Sequence, residues 1–244
     1  MEHSSALTRK LTAFIALSLD ELRLIGKIES QGREIKRGTE ITEEGQTGHC
    51  AYVLQHGWAQ TFKDMPDGNR QIIGFPISGD CVGLRSIMLW KADHSFSAVT
   101  DVVVSAVPAS AMLQLFSDYP RLASAFLWSA SRDEAMVVEH LVNVGRRNPL
   151  ERTAHFFMEL AERLMLVGLA TETEFKCPLN QYVIADALGM SAIHVNRVLR
   201  ELRELDLLTV KTGTVIIHDL QGLTKLAGYR SVNGHSVKSG PKRA

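Results

Sequence analysis

The residues best suited to recognise another molecule lie on one predicted helix near the C-terminus. Over residues 191–203 the apolar side chains recur at helical spacing, and the opposite side carries Ile193, Arg197, Arg200 and Glu204, flanked by His194 and Asn196. An arginine fork can donate to O6 and N7 of guanine, and an isoleucine can pack on a thymine methyl group. This combination favours contact with the base edges of double-stranded DNA.

Eight residues are the candidate DNA contacts. Arg197 lies one turn into the helix, where its fork can reach a guanine, whereas Arg200 lies further along, where a backbone phosphate is the better partner. For Ser191, His194 and Asn196 base and phosphate contact both stay open, and a solvated helix face is the alternative for each residue of the helix. The set is Ser191, Ala192, Ile193, His194, Asn196, Arg197, Arg200 and Lys211.

Two short helices and a wing must position these residues. Asn180 and Ser191 are good N-caps, since each side chain can accept a hydrogen bond from an unpaired backbone N–H. Gly189 tolerates positive φ and can end the first helix, and Ala185 is small where the second helix must approach. This is the helix-turn-helix pattern. The following segment, LLTVKTGTVIIHD, predicts a two-stranded wing that turns at residues 211–213.

The N-terminal half combines helices with a β-rich region. Residues 7–25 predict helix, with a break and a new N-cap around Ser18 and Asp20. Residues 28–108 contain short β-branched stretches between glycine turns, which predicts a small β-sandwich or barrel. Asp67-Gly68 indicates a hairpin between two of these stretches. The stretches are CAYVLQ, WAQTF, RQIIGF and SAVTDVVVSAV.

A long helix is predicted over residues 110–145. It carries a narrow stripe, here called the dimer seam, whose members are spaced alternately by four and three residues: Ala123, Leu127, Ala130, Glu134, Val137, Leu141 and Val144. A long helix with such a stripe between two domains favours pairing with its own copy, so we expect a homodimer. The alternative is that the helix packs on its own β-domain.

A hinge and a second set of helices follow. Asn148, Pro149 and Glu151 have the types and spacing of a capped helix start, so residues 146–149 are the predicted hinge and a helix should run to about Leu166. Residues 168–179 are expected to connect to the helix-turn-helix, and residues 220–229 to form a terminal helix. Residues 231–244 are polar and are expected to be disordered.

Composition favours a globular, cytoplasmic protein. The 244 residues allow two domains, 45% are hydrophobic and 22% are charged, and neither a membrane-spanning run nor a signal peptide is evident. The formal net charge is zero, yet from Lys176 onward ten Lys and Arg stand against five Asp and Glu. A locally basic domain suits phosphate contact. No catalytic or metal-ligand motif is apparent, which argues against an enzyme and against a metal site.

This order of elements resembles the Crp/Fnr family of bacterial transcription regulators, most clearly in the segments ISGDCVG and LGMSAIHVNRVLRELRELDLL. The resemblance implies an α+β chain with a cyclic-nucleotide-binding-like β-roll sensor domain (residues 1–109), a dimerisation helix and hinge (110–147), a winged helix-turn-helix (148–230) and a tail (231–244). It also implies a homodimer that binds a palindromic operator, responds to a small-molecule effector and works with RNA polymerase.

The effector pocket implied by the resemblance departs from that of the cAMP-binding members. Leu84 follows Gly83 where those members have a ribose-binding Glu, and the stretch His94, Ser95, Phe96 and Ser97 lacks their phosphate-binding Arg. Val137 and Val138 replace the polar pair that contacts adenine. Arg85 is an alternative phosphate clamp, at a shifted position. We therefore expect an effector other than cAMP, and these nine residues are the candidate pocket.

Other inputs and functions are less favoured. An iron–sulfur cluster would need N-terminal cysteines, but the three cysteines are Cys50, Cys81 and Cys177. Haem would need axial ligands, and scattered histidines are usually structural, so neither cofactor is expected. The effector's identity stays open, as does whether one exists. The alternative function is an effector-binding or protein-interaction module that does not bind DNA.

Overall fold

The computed structural model describes residues 4–48 and 50–231. It begins with two helices, α1 (Ala6–Thr12) and α2 (Leu19–Glu29). The break between them lies where the sequence indicated it, because Ser18 and Glu21 form a capping box at the start of α2. Leu7, Leu11 and Ile25 are fully buried against the β-domain and the long helix.

Eight strands form a sandwich of two antiparallel sheets. One sheet has the order β1-β8-β3-β6 and the other the order β2-β7-β4-β5. The strands are β1 (Arg33–Ile35), β2 (Glu40–Thr42), β3 (Cys50–His56), β4 (Ala59–Asp64), β5 (Arg70–Gly74), β6 (Cys81–Val82), β7 (Ser95–Ala98) and β8 (Val102–Pro108). We refer to α1, α2 and these strands as the sensor domain.

The predicted hairpin is confirmed and one strand prediction needs correction. Gly68 has a φ of 83°, and the backbone N–H of Met65 donates to Asn69 across the β4–β5 turn at 2.7 Å. The apolar run SAVTDVVVSAV is two strands, β7 and β8, in opposite sheets rather than one. The chain crosses between the sheets at Thr100, whose hydroxyl accepts a hydrogen bond from the Trp58 N–H.

The predicted helix over residues 110–145 is also divided in two. After the short α3 (Leu84–Leu89), the chain forms α4 (Ala109–Asp118) and then α5 (Pro120–Arg146). Proline lacks a backbone N–H and disfavours helical geometry in the residue before it, so Tyr119 leaves the helix (φ −130°, ψ 70°). The long helix that carries the dimer seam therefore begins at Pro120.

The C-terminal part has the predicted winged helix-turn-helix with one additional strand. Its helices are α6 (Pro149–Leu166), α7 (Gln181–Leu188), α8 (Ala192–Glu204) and α9 (Leu220–Ala227). Its sheet has the order β10-β11-β9 and contains β9 (Glu174–Lys176), β10 (Leu208–Lys211) and β11 (Thr214–Ile217). The segment expected to be a plain connection therefore includes β9.

The hinge between α5 and α6 is held by side-chain hydrogen bonds. Asn148 and Glu151 form the predicted capping box. Arg147 donates to Asn143 at 2.7 Å and to Glu139 at 2.9 Å. Asn143 lies 3.0 Å from the buried ring of His155 on α6. These contacts fix the direction in which the chain leaves the long helix.

One hydrophobic core joins the sensor domain to the C-terminal part. Trp58, Phe62 and Phe75 from the sandwich pack in the same cluster as Phe156 and Leu160 from α6. The rings of Phe75 and Phe156 are 5.8 Å apart in an edge-to-face arrangement. The position of the helix-turn-helix relative to the sandwich therefore depends on packing as well as on the hinge.

Candidate nucleic-acid interface and effector cavity

Local capping builds the helix-turn-helix as the sequence indicated. The Asn180 side chain accepts from the N–H groups of Tyr182 and Val183 at 2.9 and 3.1 Å. Gly189 ends α7 with a φ of 62°, and the Ser191 hydroxyl accepts from the His194 N–H at the start of α8. Because both helix starts and the turn are fixed locally, the angle between α7 and α8 is well determined.

The outer side of α8 faces solvent. Val195, Val198 and Leu202 are buried, while the residues opposite them are exposed. Ile193 is 84% exposed, which is unusual for a large apolar side chain and leaves it free to meet a partner. Asn196, Arg197 and Arg200 are also exposed, and Ala192 and His194 are partly so.

Arg197 and His194 form a pair that the sequence did not reveal. Arg197 Nη2 lies 2.9 Å from His194 Nε2, one helical turn away. Since a guanidinium only donates, Nε2 must be the acceptor, and the imidazole proton then sits on Nδ1. The contact holds the guanidinium beside the first turn of α8, where a groove-entering helix contacts bases.

The wing places a cation next to its turn. Lys211 and Thr214 form the last β10–β11 pair, and the two residues between them, Thr212 and Gly213, both have positive φ. This is the geometry of a tight hairpin turn. Lys211 is exposed there. The exposed Tyr182 on α7 was not among the predicted contacts, and only its position near a helix start could have indicated it.

A cavity of about 730 Å³ lies between the sensor domain, α5 and α6. Most of its lining is apolar, including Ile72, Phe75, Leu127 and Phe156. Pockets of this size hold small molecules. Of the nine predicted pocket residues, five line this cavity: Gly83, Leu84, Arg85, His94 and Val137.

The other four predicted pocket residues lie elsewhere. Ser95, Phe96 and Ser97 are buried in β7, where the Ser95 hydroxyl accepts from the Glu44 N–H and the Ser97 hydroxyl accepts from Gln60. Val138 is exposed on α5. Residue spacing alone could not show which predicted residues line the cavity, because the lining depends on how the helices pack across the sandwich.

Arg85 is not free to clamp a phosphate in this structure. Its guanidinium is paired with the Asp93 carboxylate, which also accepts from the Ser86 hydroxyl at 3.1 Å. Burial would raise the pKa of Asp93, but its interactions with His94 and Arg85 and the hydrogen bond from Ser86 lower it below its usual value. A phosphate would have to displace that carboxylate.

A buried set of ion pairs, here called the interdomain charge network, joins three parts of the chain. Asp80, from the GDCVG segment, accepts from Lys10 of α1 at 2.7 Å and from Arg163 of α6 at 2.8 Å. Lys10 also lies 3.6 Å from Asp133 of α5, and Arg163 lies 3.3 Å from Glu159. The sensor domain, the long helix and the C-terminal part therefore meet at Asp80.

Two further contacts hold the helix-turn-helix in place. The Gln71 side chain donates to the carbonyl oxygens of Asp186 and Ala187 at the end of α7, at 3.1 and 3.2 Å. Arg152 donates to the Leu188 carbonyl at 2.6 Å and to that of Val144 at 3.0 Å. Both contacts use carbonyls at helix ends, which otherwise lack partners within their helices.

The dimer seam is largely uncovered in the single chain. Leu127 is 68% and Leu141 is 72% exposed, and Glu134, Val137 and Val144 are exposed too. Ala123 and Ala130 are partly buried. Contiguous exposed apolar side chains of this kind are a feature of interaction surfaces in other proteins.

Two protein-family models match separate parts of the chain. Residues 32–119 match the cyclic nucleotide-binding domain family, and residues 151–226 match the Crp-like helix-turn-helix domain family. The nitrogen fixation regulation protein FixK of Azorhizobium caulinodans is 30% identical over 192 residues, covering 78% of this chain and 76% of that protein. A probable transcriptional activator of Rhizobium leguminosarum bv. viciae is 27% identical over 212 residues, covering 86% and 87%.

Solved structures share the fold. FixK2 from Bradyrhizobium japonicum superposes with a TM-score of 0.72 at 23% identity, covering 82% of this chain and 98% of that one. Fold and helix-turn-helix together define a DNA-binding transcription regulator. The chain belongs to the Crp/Fnr family. Over residues 4–48 and 50–231, no helix is both long and apolar enough to cross a membrane.

Proposed function

We propose that the protein is a homodimer that binds a palindromic operator through α8 and responds to an effector other than cAMP. The observation that carries the proposal is the outer side of α8, where Ile193 and the paired Arg197 and His194 are exposed beside one another. In a helix-turn-helix dimer one such helix enters the major groove of each half-site, with half-site centres about one helical turn apart.

The dimer seam supports self-association. The exposed apolar side chains of Leu127, Val137 and Leu141 lie along one face of a 27-residue helix, and pairing with a second copy would remove them from water. A two-fold dimer would also present two copies of α8, as a palindrome requires. RNA polymerase would then contact those surfaces of the protein that the operator DNA does not cover.

The cavity supports an effector different from cAMP. Leu84 and Val137 present apolar groups where a ribose and an adenine would need polar partners, and Arg85 is already paired with Asp93. An unpaired phosphate in such a site would be costly. The same cavity adjoins α6, so a bound molecule would contact the part of the chain that carries α8.

Binding selection on a randomised operator tests the DNA-binding assignment. Arg197→Ala should cost about 1–3 kcal/mol of binding and relax preference at one base pair per half-site. Arg200→Ala should weaken all sequences nearly alike and lower the salt slope by about one per contacted site. Arg33→Ala, which removes an exposed cation from β1, is the matched control.

The outcomes separate the alternatives. If Arg197→Ala leaves the selected motif unchanged while Arg200→Ala alters one position, the two roles are reversed. If wild-type binding is undetectable, or does not weaken as salt rises, the protein is instead an effector-binding or protein-interaction module. If neither arginine matters although binding is salt-dependent, the wing around Lys211 becomes the recognition surface.

A further inference from the structure

The charges that line the 730 Å³ cavity indicate the chemistry of its ligand. Among the described residues, two permanent cations line it, Arg85 and Arg163. Arg85 is paired with Asp93. Arg163 is paired with Asp80 and Glu159 and also donates to the Phe75 carbonyl at 2.7 Å. Both guanidinium groups are therefore committed to protein partners, and an anionic ligand would have to break those pairs.

Carboxylates at the cavity outnumber the available cations. Asp133 lines it with 40% of its side chain accessible, and its nearest cation, Lys10, is 3.6 Å away, beyond hydrogen-bonding distance. Glu134 also lines the cavity, and no residue within 4–48 or 50–231 forms an ion pair with it. Glu159 completes the set, at 3.3 Å from Arg163. The cavity consequently has an excess of negative charge.

Burial disfavours the ionised form of two of these carboxyl groups. Burial is the main cause that raises the pKa of Asp133 and of Glu159, and the charge of Asp133 raises that of Glu159 further. Lys10, Arg163 and Arg132 lower the pKa of Asp133, and Arg163 lowers that of Glu159, but not enough to offset burial. The positive charge around these two carboxyl groups therefore does not offset their burial, and a cation brought into the cavity would add to it.

The histidines of the cavity do not supply that charge. Burial lowers the pKa of His94 and of His140, so both rings are neutral at pH 7 and above. His140 Nε2 is buried and has no hydrogen-bond partner among the described residues. The two rings therefore add polar but uncharged groups to a mostly apolar lining.

We propose that this cavity binds a predominantly apolar molecule that carries a protonated amine, with Asp133 and Glu159 accepting the ammonium hydrogens. The inference rests on the proposed function in that it takes the cavity to be the effector site. The apolar body would contact Ile72, Phe156 and Leu127, which line the same space. Because Asp133 belongs to α5 and Glu159 to α6, one ammonium group would join the long helix to the C-terminal part.

A matched set of three probes tests the ligand class. They share a naphthyl body and differ in charge: 2-(2-naphthyl)ethylamine, 2-(2-naphthyl)ethanol and 3-(2-naphthyl)propionate. Calorimetric titration into the full-length protein at pH 7.5, without DNA, should give an affinity for the amine roughly tenfold or more above that for the carboxylate, with the alcohol between them. Equal or tighter binding of the carboxylate overturns the proposal, as does no binding of the amine up to its solubility limit.

Two conservative variants locate the amine. Glu159→Gln and Asp133→Asn should each reduce the preference for the amine over the alcohol at least about threefold, while affinity for the alcohol stays unchanged. Glu172→Gln, an exposed carboxylate on the loop before β9, is the control and should keep the full preference. Thermal melting of each variant confirms that it folds. An undiminished preference in both cavity variants places the ammonium elsewhere and overturns the assignment.

DNA binding is measured separately on the same preparations. A gel shift with the selected operator reports on the proposed function, whereas the probe titrations contain no DNA and report only on the cavity. If the protein does not bind DNA but still prefers the amine, the proposal of a DNA-binding regulator is wrong and the proposed ligand class is retained. If the protein binds DNA but does not prefer the amine, only the proposed ligand class is wrong.

Discussion

Replacing Arg163 by methionine should destabilise the protein more than any surface substitution, because it leaves a buried carboxylate without one of its two cations. Arg163 Nη2 lies 2.8 Å from Asp80 Oδ2 and 2.7 Å from the Phe75 carbonyl oxygen, and both charged side chains are nearly inaccessible to solvent. Methionine retains an apolar stem of similar reach, so the loss is chiefly that of the charge and its hydrogen bonds.

The size of the effect follows from the burial of the ion pair and from the pKa of Asp80. Removing one partner of a buried pair typically costs about 3–5 kcal/mol. Burial alone would raise the pKa of Asp80, yet the charges of Lys10 and Arg163 and the Ile77 N–H lower it to about 2. Against an unfolded value near 3.8, this shift corresponds to about 2–3 kcal/mol, of which Arg163 supplies part. We expect a loss of about 2–4 kcal/mol at pH 7.

The pH dependence follows from the sign of that shift. Because the pKa of Asp80 is lowered in the folded protein, its contribution is present above about pH 4 and is lost as the pH falls towards 2. Without Arg163 that pKa rises, so the variant loses the contribution at a higher pH. The stability difference between the two proteins should therefore be largest near neutrality and shrink progressively below about pH 5.

Urea unfolding followed by tryptophan fluorescence at several pH values measures both effects. Arg33→Met, at an exposed position on β1, is the control and should change stability by less than about 0.5 kcal/mol. If Arg163→Met also changes stability by less than about 1 kcal/mol, or by the same amount at every pH, the interdomain charge network does not stabilise the native state and the reasoning is wrong.

Two further predictions concern the dimer and the effector. Light scattering should give about twice the 27.0 kDa chain mass. Leu127→Glu should shift the measured mass towards that of the monomer, because the seam would then bury an unpaired charge, whereas Leu19→Glu, at a similarly exposed leucine of α2, should not. A monomeric wild type at micromolar concentration contradicts this prediction. Calorimetry with cAMP should show no binding tighter than about 1 mM, or roughly −4 kcal/mol, and micromolar binding would make Arg85 the first residue to re-examine.

The parts of the fold that depend on short-range chemistry could be predicted from the sequence. The two N-caps and Gly189 of the helix-turn-helix, the capping box at Asn148 and the Asp67-Gly68 turn each involve residues within four positions of one another. The end of α4 at Tyr119 could have been found by the same reasoning, since Pro120 is a strong signal for a new helix. The apolar residues on both sides of Pro120 continue the helical spacing, so the sequence pattern did not show the break.

The cavity and the interdomain charge network could not be predicted in this way. Asp80 and Arg163 are 83 residues apart, and the sequence around Asp80, although it carries the family resemblance, does not indicate a partner on α6. Their meeting depends on how α6 packs across the sandwich. The same packing decides that Leu84 and Val137 line the cavity while Ser97 and Val138 do not. Residue spacing fixes which side of a helix a residue occupies, but it does not fix what that side contacts.

The packing of α6 also shows how an effector could reach the DNA. Glu159 and Arg163 line the cavity on one side of this helix. Leu160 and Leu164, on the same helix, are fully or almost fully buried in the cluster that contains Val198 and Leu202 of α8. Helices packed at this density move together rather than deform, since separating them would open a costly void. We expect a ligand that displaces Glu159 to move α6 and α8 together, and in the proposed dimer Arg197 would then change position relative to its copy. Leu164→Ala, which loosens this packing at a residue that does not line the cavity, should retain affinity for the amine probe. It should lose most of the probe's effect on operator affinity, as measured by gel shift with and without the probe. An unchanged effect would mean that the signal reaches α8 through the hinge at Asn143 and Arg147 instead.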